Sequence, residues 1–93
     1  MKYFAALLMM KDPEKNRTFR EQHVAFLAER EKSGEIFARG KFLDNSGGLV
    51  IYVAPSLAEA EKTAAGDPYV ASGARSLEVH EWDVKFTPAA REG

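Results

Sequence analysis

The chain has 93 residues, of which 45% are hydrophobic and 29% are charged, a composition typical of one soluble globular domain. Thirteen basic and fourteen acidic residues give a formal net charge of -1. This balance disfavours binding to nucleic acid or to an anionic membrane surface, because both need a positive field. The chain contains no cysteine, which excludes a disulfide framework and a thiolate nucleophile and fits a cytoplasmic location.

The first predicted element is a strand over residues 2–10. These residues are apolar almost without alternation, as expected for a strand that is covered on both faces. The segment also resembles the apolar part of a signal peptide, but Lys11 and Asp12 interrupt it and no small-x-small cleavage site follows. No run approaches the roughly 18 apolar residues of a membrane span, so we expect no membrane partner.

A helix follows, and two signals compete for its start. Thr18 with Glu21 three positions later forms a capping box. Asp12 followed by Pro13 is an alternative start, and Gly34 is a suitable C-terminal stop. At 100° per residue the predicted buried side consists of Phe19, His23, Phe26, Leu27 and Arg30.

The next segments predict a β-hairpin. Residues 36–42 alternate, with Arg39 and Lys41 on the polar face, which suits an edge strand. The turn formers of residues 44–48 separate them from a fully apolar strand at residues 49–54. The Ser46-Gly47-Gly48 stretch has two interpretations: an ordinary hairpin turn, or a backbone site for an anionic group of a ligand.

The second helix is predicted to begin at Ser56, which forms a capping box with Glu59, and to end at Gly66. Asp67 is placed to cap a short turn that Pro68 begins. A last strand is expected over residues 77–86, where the apolar alternation changes phase. That change predicts a bulge, or two halves that meet different partners. Residues 87–93 are expected to form a loose tail of a single domain that spans residues 1–93.

The order strand, helix, strand, strand, helix, strand predicts an α+β fold of the ferredoxin-like βαββαβ type, with a four-stranded antiparallel sheet. Its first and third strands are central, and these are the runs that are apolar on both faces. Two helices cover only one face of such a sheet. We therefore predict a homodimer that packs sheet against sheet, as in dimeric α+β barrels.

His23 and Asp67 are the candidates for catalysis. His23 is a titratable base within an apolar helix face, and the fold brings the turn after Gly66 towards it. Each residue alone also fits a structural role, His23 as a buried histidine bonded to a carbonyl and Asp67 as a helix cap. The presence of both residues near one another favours a catalytic role, with Asp67 orienting the imidazole of His23.

The remaining candidates are expected to bind substrate: Ser46, Gly47, Tyr69 and His80. We predict a structural or pocket-lining role for His80 rather than proton transfer. The two histidines are far apart in the chain and lack HxxE or HxH spacing, which disfavours a metal site. The stretch from Arg39 to Phe42 is similar to an RNA-recognition signature, but Lys41 stands where an aromatic residue is needed.

Several motifs carry a family likeness: QHVAFL (22–27), ARG (38–40), GGLV (47–50), SLAEA (56–60), DPYV (67–70) and EVHEW (78–82). Together they resemble the YCII-related (YciI-like) family over nearly the whole chain. The resemblance implies a dimeric α+β barrel with a His-Asp pair in a cleft, which corresponds to His23 and Asp67. The activity associated with the family is lyase-like elimination of chloride from chlorinated hydroxylated aromatics. One departure is Glu81, where relatives often have proline.

The sequence thus predicts a small enzyme without a cofactor or metal that uses a His-Asp pair for general acid-base chemistry. Elimination or isomerisation of a small substrate, aromatic ones included, fits such a pair. The alternative is a non-catalytic module of the same fold that binds a small molecule or serves assembly, because function does not follow from fold.

Overall fold

The structure, a computed structural model, describes residues 1–92. Nine elements follow one another along the chain: β1 (Lys2–Met10), α1 (Pro13–Thr18), α2 (Arg20–Lys32), β2 (Ile36–Lys41), β3 (Gly47–Ala54), α3 (Leu57–Ala65), α4 (Pro68–Ala71), β4 (Arg75–Trp82) and α5 (Pro88–Glu92). Within residues 1–92, the helices are all too short or too polar to span a bilayer.

The sheet has the strand order β2-β3-β1-β4, and each neighbouring pair is antiparallel. The two runs that are apolar on both faces, β1 and β3, are the central strands, and Ala6 at the centre of β1 lies opposite Val50 on one side and Val79 on the other. The predicted ferredoxin-like α+β fold is confirmed.

The core lies between the sheet and its helices. Alternate residues of β1, namely Phe4, Ala6 and Leu8, are buried against the helices, whereas the residues between them lie on the opposite face of the sheet, which we call the open face. From the helices the core receives Leu27 of α2 and two small residues of α3, Ala60 and Ala64. The small side chains let α3 lie close to the sheet.

The first helical segment starts earlier than the Thr18 capping box predicts. Asp12 is the N-cap of α1, and its Oδ1 accepts hydrogen bonds from the backbone N–H of Glu14 at 3.0 Å and of Lys15 at 3.1 Å. Thr18 lies inside the helical turn and its Oγ1 donates to the Glu14 carbonyl at 3.1 Å. The Thr18 start is therefore wrong and the Asp12-Pro13 start is right, because Thr18 Oγ1 is bonded back into the preceding turn.

The end of α2 agrees with the sequence. Gly34 has a φ of 82°, the left-handed conformation that glycine adopts without steric cost. Its N–H donates to the Glu31 carbonyl at 3.2 Å, and the Glu35 N–H donates to the Arg30 carbonyl at 2.9 Å. These two bonds form a Schellman motif, which satisfies carbonyls that the helix end would leave unpaired.

The predicted bulge in the last strand is wrong. The pairing of β4 with β1 runs without a break from Trp82 opposite Tyr3 to Arg75 opposite Met10. The change of phase arises because Leu77 and Val79 lie on the helix side of the strand and Trp82, its last residue, lies on the open face. The sheet does contain an irregular register, but it lies in edge strand β2, between Ile36 and Ala38.

The segment after β4 returns to the open face of the sheet. The Phe86 ring makes contacts with Tyr3 at a centroid distance of 5.7 Å and with Phe37 at 5.4 Å. Within the segment 87–93, for which a loose tail is expected, residues 88–92 form the short helix α5, and Gly93 lies outside the described residues.

Candidate functional site

His23 is paired with a carboxylate from a distant part of the chain. Its Nδ1 lies 2.8 Å from Asp67 Oδ1 and 2.9 Å from Asp67 Oδ2. The imidazole projects from α2 and is 13% exposed. An ionised carboxylate can only accept hydrogen bonds, so in the neutral imidazole Nδ1 carries the proton. Nε2 is then the unprotonated nitrogen, which is the form a general base needs.

Asp67 serves as a helix cap and as the partner of the imidazole at the same time. It is fully buried, and its Oδ1 accepts a hydrogen bond at 2.9 Å from the Tyr69 backbone N–H at the start of α4. A buried carboxylate is costly unless such donors satisfy it. The cap fixes the carboxylate, and the carboxylate in turn fixes the orientation of the His23 ring.

Tyr69 connects the base to a cation. Its buried ring stacks on the His23 imidazole, with a centroid distance of 3.9 Å and an angle of 16° between the planes. The Arg75 guanidinium lies over the same phenol ring, with its Cζ 4.3 Å from the centroid. Stacking restricts the rotation of both groups, so the imidazole and the guanidinium have defined positions relative to each other.

A second buried tyrosine, Tyr52, lies near enough to Asp67 for the carboxylate charge to affect its ionisation. Tyr52 is 1% exposed, and its hydroxyl is without a hydrogen-bond partner among the described residues. Burial raises the pKa of Tyr52 well above its usual range, and the negative charge of Asp67 raises it further. The phenol is therefore neutral at physiological pH.

His23 and Tyr69 line a cleft of about 210 Å³ between α2 and the β2–β3 side of the sheet. An apolar cavity of about 150 Å³ holds a benzene molecule, so this volume accommodates one substituted ring. Part of the wall is apolar and consists of Leu8, Val24, Leu27, Leu49 and Val50. The other part carries four basic residues, Arg20, Arg39, Lys41 and Arg75.

A second, larger cavity of about 690 Å³ lies on the open face, where the segment that follows β4 packs against the sheet. Aromatic side chains dominate its lining, namely Tyr3, Phe37, Trp82 and Phe86. Neither histidine lines it. The candidate site is therefore the smaller cleft, because there an imidazole lines an enclosed space.

Ser46 and Gly47 have a role in the hairpin and do not line the His23 cleft. The Ser46 N–H donates to Asp44 Oδ1 at 2.9 Å, and the Gly47 carbonyl accepts from the Phe42 N–H at 2.8 Å. A Cβ on Gly47 would lie 2.2 Å from the Leu8 carbonyl oxygen. Glycine is needed here for the close approach of two strands, which is the hairpin interpretation of the sequence.

His80 lies on the other side of the sheet from His23. It stands opposite Ala5 of β1 on the open face, and its side chain is 60% exposed. Its Nε2 pairs with Glu78 Oε2, two residues away in the same strand. His80 does not line the His23 cleft, so of the four predicted substrate-binding residues only Tyr69 does.

The basic residues of the cleft were not among the predicted site residues. Arg39 and Lys41 did give a signal, because they share one face of a predicted edge strand. Arg20 and Arg75 gave none, since they come from the start of α2 and the start of β4. Within residues 1–92, no group of three His, Cys, Asp or Glu side chains is arranged to hold a metal ion.

Fold and site together define a ferredoxin-like α+β subunit with an imidazole-carboxylate pair beside a cleft that accommodates one substituted ring. The YCII-related domain model matches residues 1–83. The uncharacterised protein YjpA of Bacillus subtilis (strain 168) is 32% identical over 83 residues, which cover 89% of this chain and 98% of YjpA. The chain belongs to the YCII-related family, as the sequence motifs predict.

A solved structure is also similar. It is 5-chloro-2-hydroxyhydroquinone dehydrochlorinase (TftG) from Burkholderia phenoliruptrix AC1100, in complex with 2,5-dihydroxybenzoquinone. The TM-score is 0.74 at 19% sequence identity, and the match covers 89% of this chain and 95% of that chain. At this identity the likeness shows the fold, and the fold has enzymatic members.

Proposed function

We propose that the protein is a small cofactor-independent enzyme that moves a proton on a single-ring or carbonyl substrate, with His23 as general base and acid. The observation that carries this proposal is the hydrogen bond from His23 Nδ1 to Asp67, because it leaves Nε2 unprotonated in a ring that lines the cleft. Tyr69, which stacks on the imidazole and lines the same cleft, is proposed to contact the substrate.

Elimination and isomerisation are the reaction types that this pair suits best. In an elimination, Nε2 takes a proton from the substrate, the electrons of the broken bond form a double bond, and the leaving group departs with its own electron pair. In an isomerisation, the same nitrogen returns the proton to a different atom. The dehydrochlorinase activity named for TftG belongs to the first type, which supports elimination as the first reaction to test.

Asp67 has two functions in this proposal. Before the reaction it holds the imidazole in the tautomer with an unprotonated Nε2, and after proton transfer its negative charge stabilises the imidazolium. Because the carboxylate is fully buried, the ion pair forms with little solvent screening. One carboxylate serves the helix cap and the imidazole together because it accepts bonds from the Tyr69 N–H and from His23 Nδ1.

The His23→Ala variant tests the proposal. A thermal-shift screen of hydroxylated and chlorinated aromatics and of keto acids first identifies a substrate. We expect the variant to lose about 10²- to 10⁴-fold in turnover, which is the usual contribution of one general base. The control is His80→Ala, which removes the exposed histidine and should keep full activity. Equal turnover in wild type and His23→Ala would contradict the proposal.

The alternative is a non-catalytic module that binds a small molecule. The capping role of Asp67 favours this alternative, since the bond from the Tyr69 N–H is by itself a structural reason for a carboxylate at this position. An enzyme should lose rate at acid pH, because an imidazolium cannot accept a proton. A binding module should show unchanged ligand affinity in His23→Ala and no turnover of any ligand from the screen.

We also propose that the open face forms a homodimer interface, sheet against sheet. Three aromatic residues there, Phe37, Trp82 and Phe86, are between 44% and 50% exposed in the single chain. Covering about 500 Å² of apolar surface per subunit would contribute on the order of 10 kcal/mol before association costs. Sedimentation equilibrium at micromolar concentration should find a dimer, and a purely monomeric protein would contradict this interface.

A further inference from the structure

We propose that the His23 cleft selects an anionic substrate, a single-ring molecule that carries a carboxylate or an acidic oxygen, and that Arg75 is the residue that determines this selectivity. The inference rests on the proposed function, because it assigns a substrate class to the same cleft. It concerns charge recognition, which can be measured without any turnover.

The charged side chains of the cleft lining are positive, whereas the protein as a whole has no excess of positive charge. Four of the residues that line it are basic and none is acidic, although the whole chain has a formal net charge of -1. One of the four, Arg39, is neutralised by an ion pair with Glu31. Among the described residues, the other three lack a carboxylate within ion-pair distance, and we call them the basic rim: Arg20, Lys41 and Arg75.

Arg75 differs from the two exposed members of the basic rim because it is half-buried and held in place. Its Nε donates to Asn16 Oδ1 at 2.8 Å, and its guanidinium stacks on the Tyr69 ring. Both contacts use the plane and one edge of the guanidinium. The Nη groups are therefore oriented by the protein and remain available for the two parallel hydrogen bonds that a carboxylate accepts.

The backbone beside Arg75 leaves space for this arrangement. Gly48 lies next to the guanidinium, and a Cβ at this position would be 3.4 Å from Arg75 Nη1 and 2.9 Å from the Gly40 carbonyl oxygen. A side chain at residue 48 would thus press on both the neighbouring strand and the cation. Glycine keeps the floor of the cleft open below Arg75.

Because Arg75 lies close to the proposed base, its positive charge can also act on the substrate during the reaction. Arg75 and His23 both line the cleft and both lie against the Tyr69 ring, so a substrate that fills the cleft can meet the imidazole and the guanidinium at once. Removal of a proton by His23 increases the negative charge on the substrate. A preorganised cation in a partly enclosed site stabilises that developing charge, which makes Arg75 useful for binding and for rate.

The experiment compares two probes of the same shape and different charge, benzoate and benzamide, by ¹H–¹⁵N NMR of the wild-type protein. We expect benzoate to bind at least about tenfold more tightly than benzamide and to shift the Arg75 Nε–H and Gly48 amide signals. The preference should weaken as salt is added, because salt screens charge interactions. Equal binding of the two probes, or shifts confined to other parts of the protein, would overturn the proposal.

Two matched variants locate the effect. Arg75→Gln removes the fork of the guanidinium and should reduce the preference for benzoate to about twofold or less. Lys85→Gln removes the same charge from the open face, where Lys85 pairs with Asp83, and should keep the full preference. An unchanged preference in Arg75→Gln would overturn the role of Arg75, and the wild-type comparison of the probes does not depend on how this variant folds.

The binding preference for benzoate can be measured independently of the proposed catalysis. His23→Ala is expected to lose turnover and to retain most of the preference for benzoate, because the guanidinium remains in place. If His23→Ala were fully active while benzoate binding followed the prediction, the proposed function would fail and the anion site would stand. If turnover depended on His23 and the two probes bound equally, the anion site alone would fail.

Discussion

The two histidines lie on opposite faces of one sheet, and each pairs with a carboxylate, but their environments differ. In the His23–Asp67 pair the side chains are 13% and 0% exposed, whereas in the His80–Glu78 pair they are 60% and 65% exposed. An exposed pair contributes about 0 to 1 kcal/mol and exchanges freely with water. The buried pair is fixed by a helix cap and a stacked ring. Burial, and not the presence of a partner, therefore distinguishes a candidate base from a surface histidine.

The largest effect is expected when the carboxylate charge of each pair is removed in turn, which tests this comparison directly. Asp67→Asn places an amide beside the imidazole, and an amide can donate to Nδ1 and so favour the tautomer with a protonated Nε2. We expect turnover to fall about 10³- to 10⁴-fold, the size of effect seen when a triad aspartate is replaced in this way.

The matched control for Asp67→Asn is Glu78→Gln. It should change turnover less than about twofold, because the side chains of the His80–Glu78 pair are both exposed. The measurement is the steady-state rate across pH on the substrate from the screen, with circular dichroism as a check of the fold. An equal loss in both variants would remove the distinction between the two faces.

The two faces of β1 provide the next test, on stability instead of rate. Leu8 faces the helices and is 1% exposed, and Leu7 beside it faces the open side. Leu8→Ala should lower the free energy of unfolding by about 2 to 5 kcal/mol at any protein concentration, because it leaves a cavity in the core.

Leu7→Ala should behave differently, because it acts on the proposed sheet-to-sheet dimer. Its cost should diminish when the protein is diluted below the concentration at which the dimer dissociates, since unfolding of a dimer depends on concentration. Urea unfolding of both variants at several protein concentrations measures this. A cost of Leu7→Ala that does not change with dilution would place its effect within one subunit.

Much of the fold could be predicted because the decisive signals are local. The continuous apolar runs of the central strands and the left-handed Gly34 need no knowledge of the rest of the chain. The error at the end of the last strand arose where distant contacts decide. Phe86 continues an apolar pattern in the sequence, but its ring packs on Tyr3 and Phe37 after the strand has ended, and only the folded sheet brings those rings together.

The candidate site also has one part that the sequence predicts and one part that it does not. The approach of Asp67 to His23 follows from topology, since α3 and α2 lie on one face of the sheet and α4 follows α3 directly. The basic rim does not follow from topology, because Arg20, Lys41 and Arg75 come from three elements and meet only through strand register and helix position. Side chains that one helix or strand presents can be predicted, but a cluster assembled from several elements needs coordinates.

The smallest expected effect concerns Tyr52, which shares the buried side of the sheet with Asp67. Its pKa is raised by burial and by the carboxylate, so folding favours the neutral phenol. The stability that this contributes is fully present below about pH 10, the usual pKa of tyrosine, and is lost as the pH rises towards the raised value. Tyr52→Phe should remove that part of the alkaline loss.

At pH 7 the same variant should change the free energy of unfolding by less than about 1 kcal/mol, because the hydroxyl it deletes is without a hydrogen-bond partner among the described residues. Urea unfolding at pH 7 and pH 11 gives both values, and Tyr3→Phe on the open face is the control that should keep the alkaline loss. A large loss at pH 7 in Tyr52→Phe would contradict this expectation and would mean that the hydroxyl is hydrogen-bonded to a buried water in the folded protein.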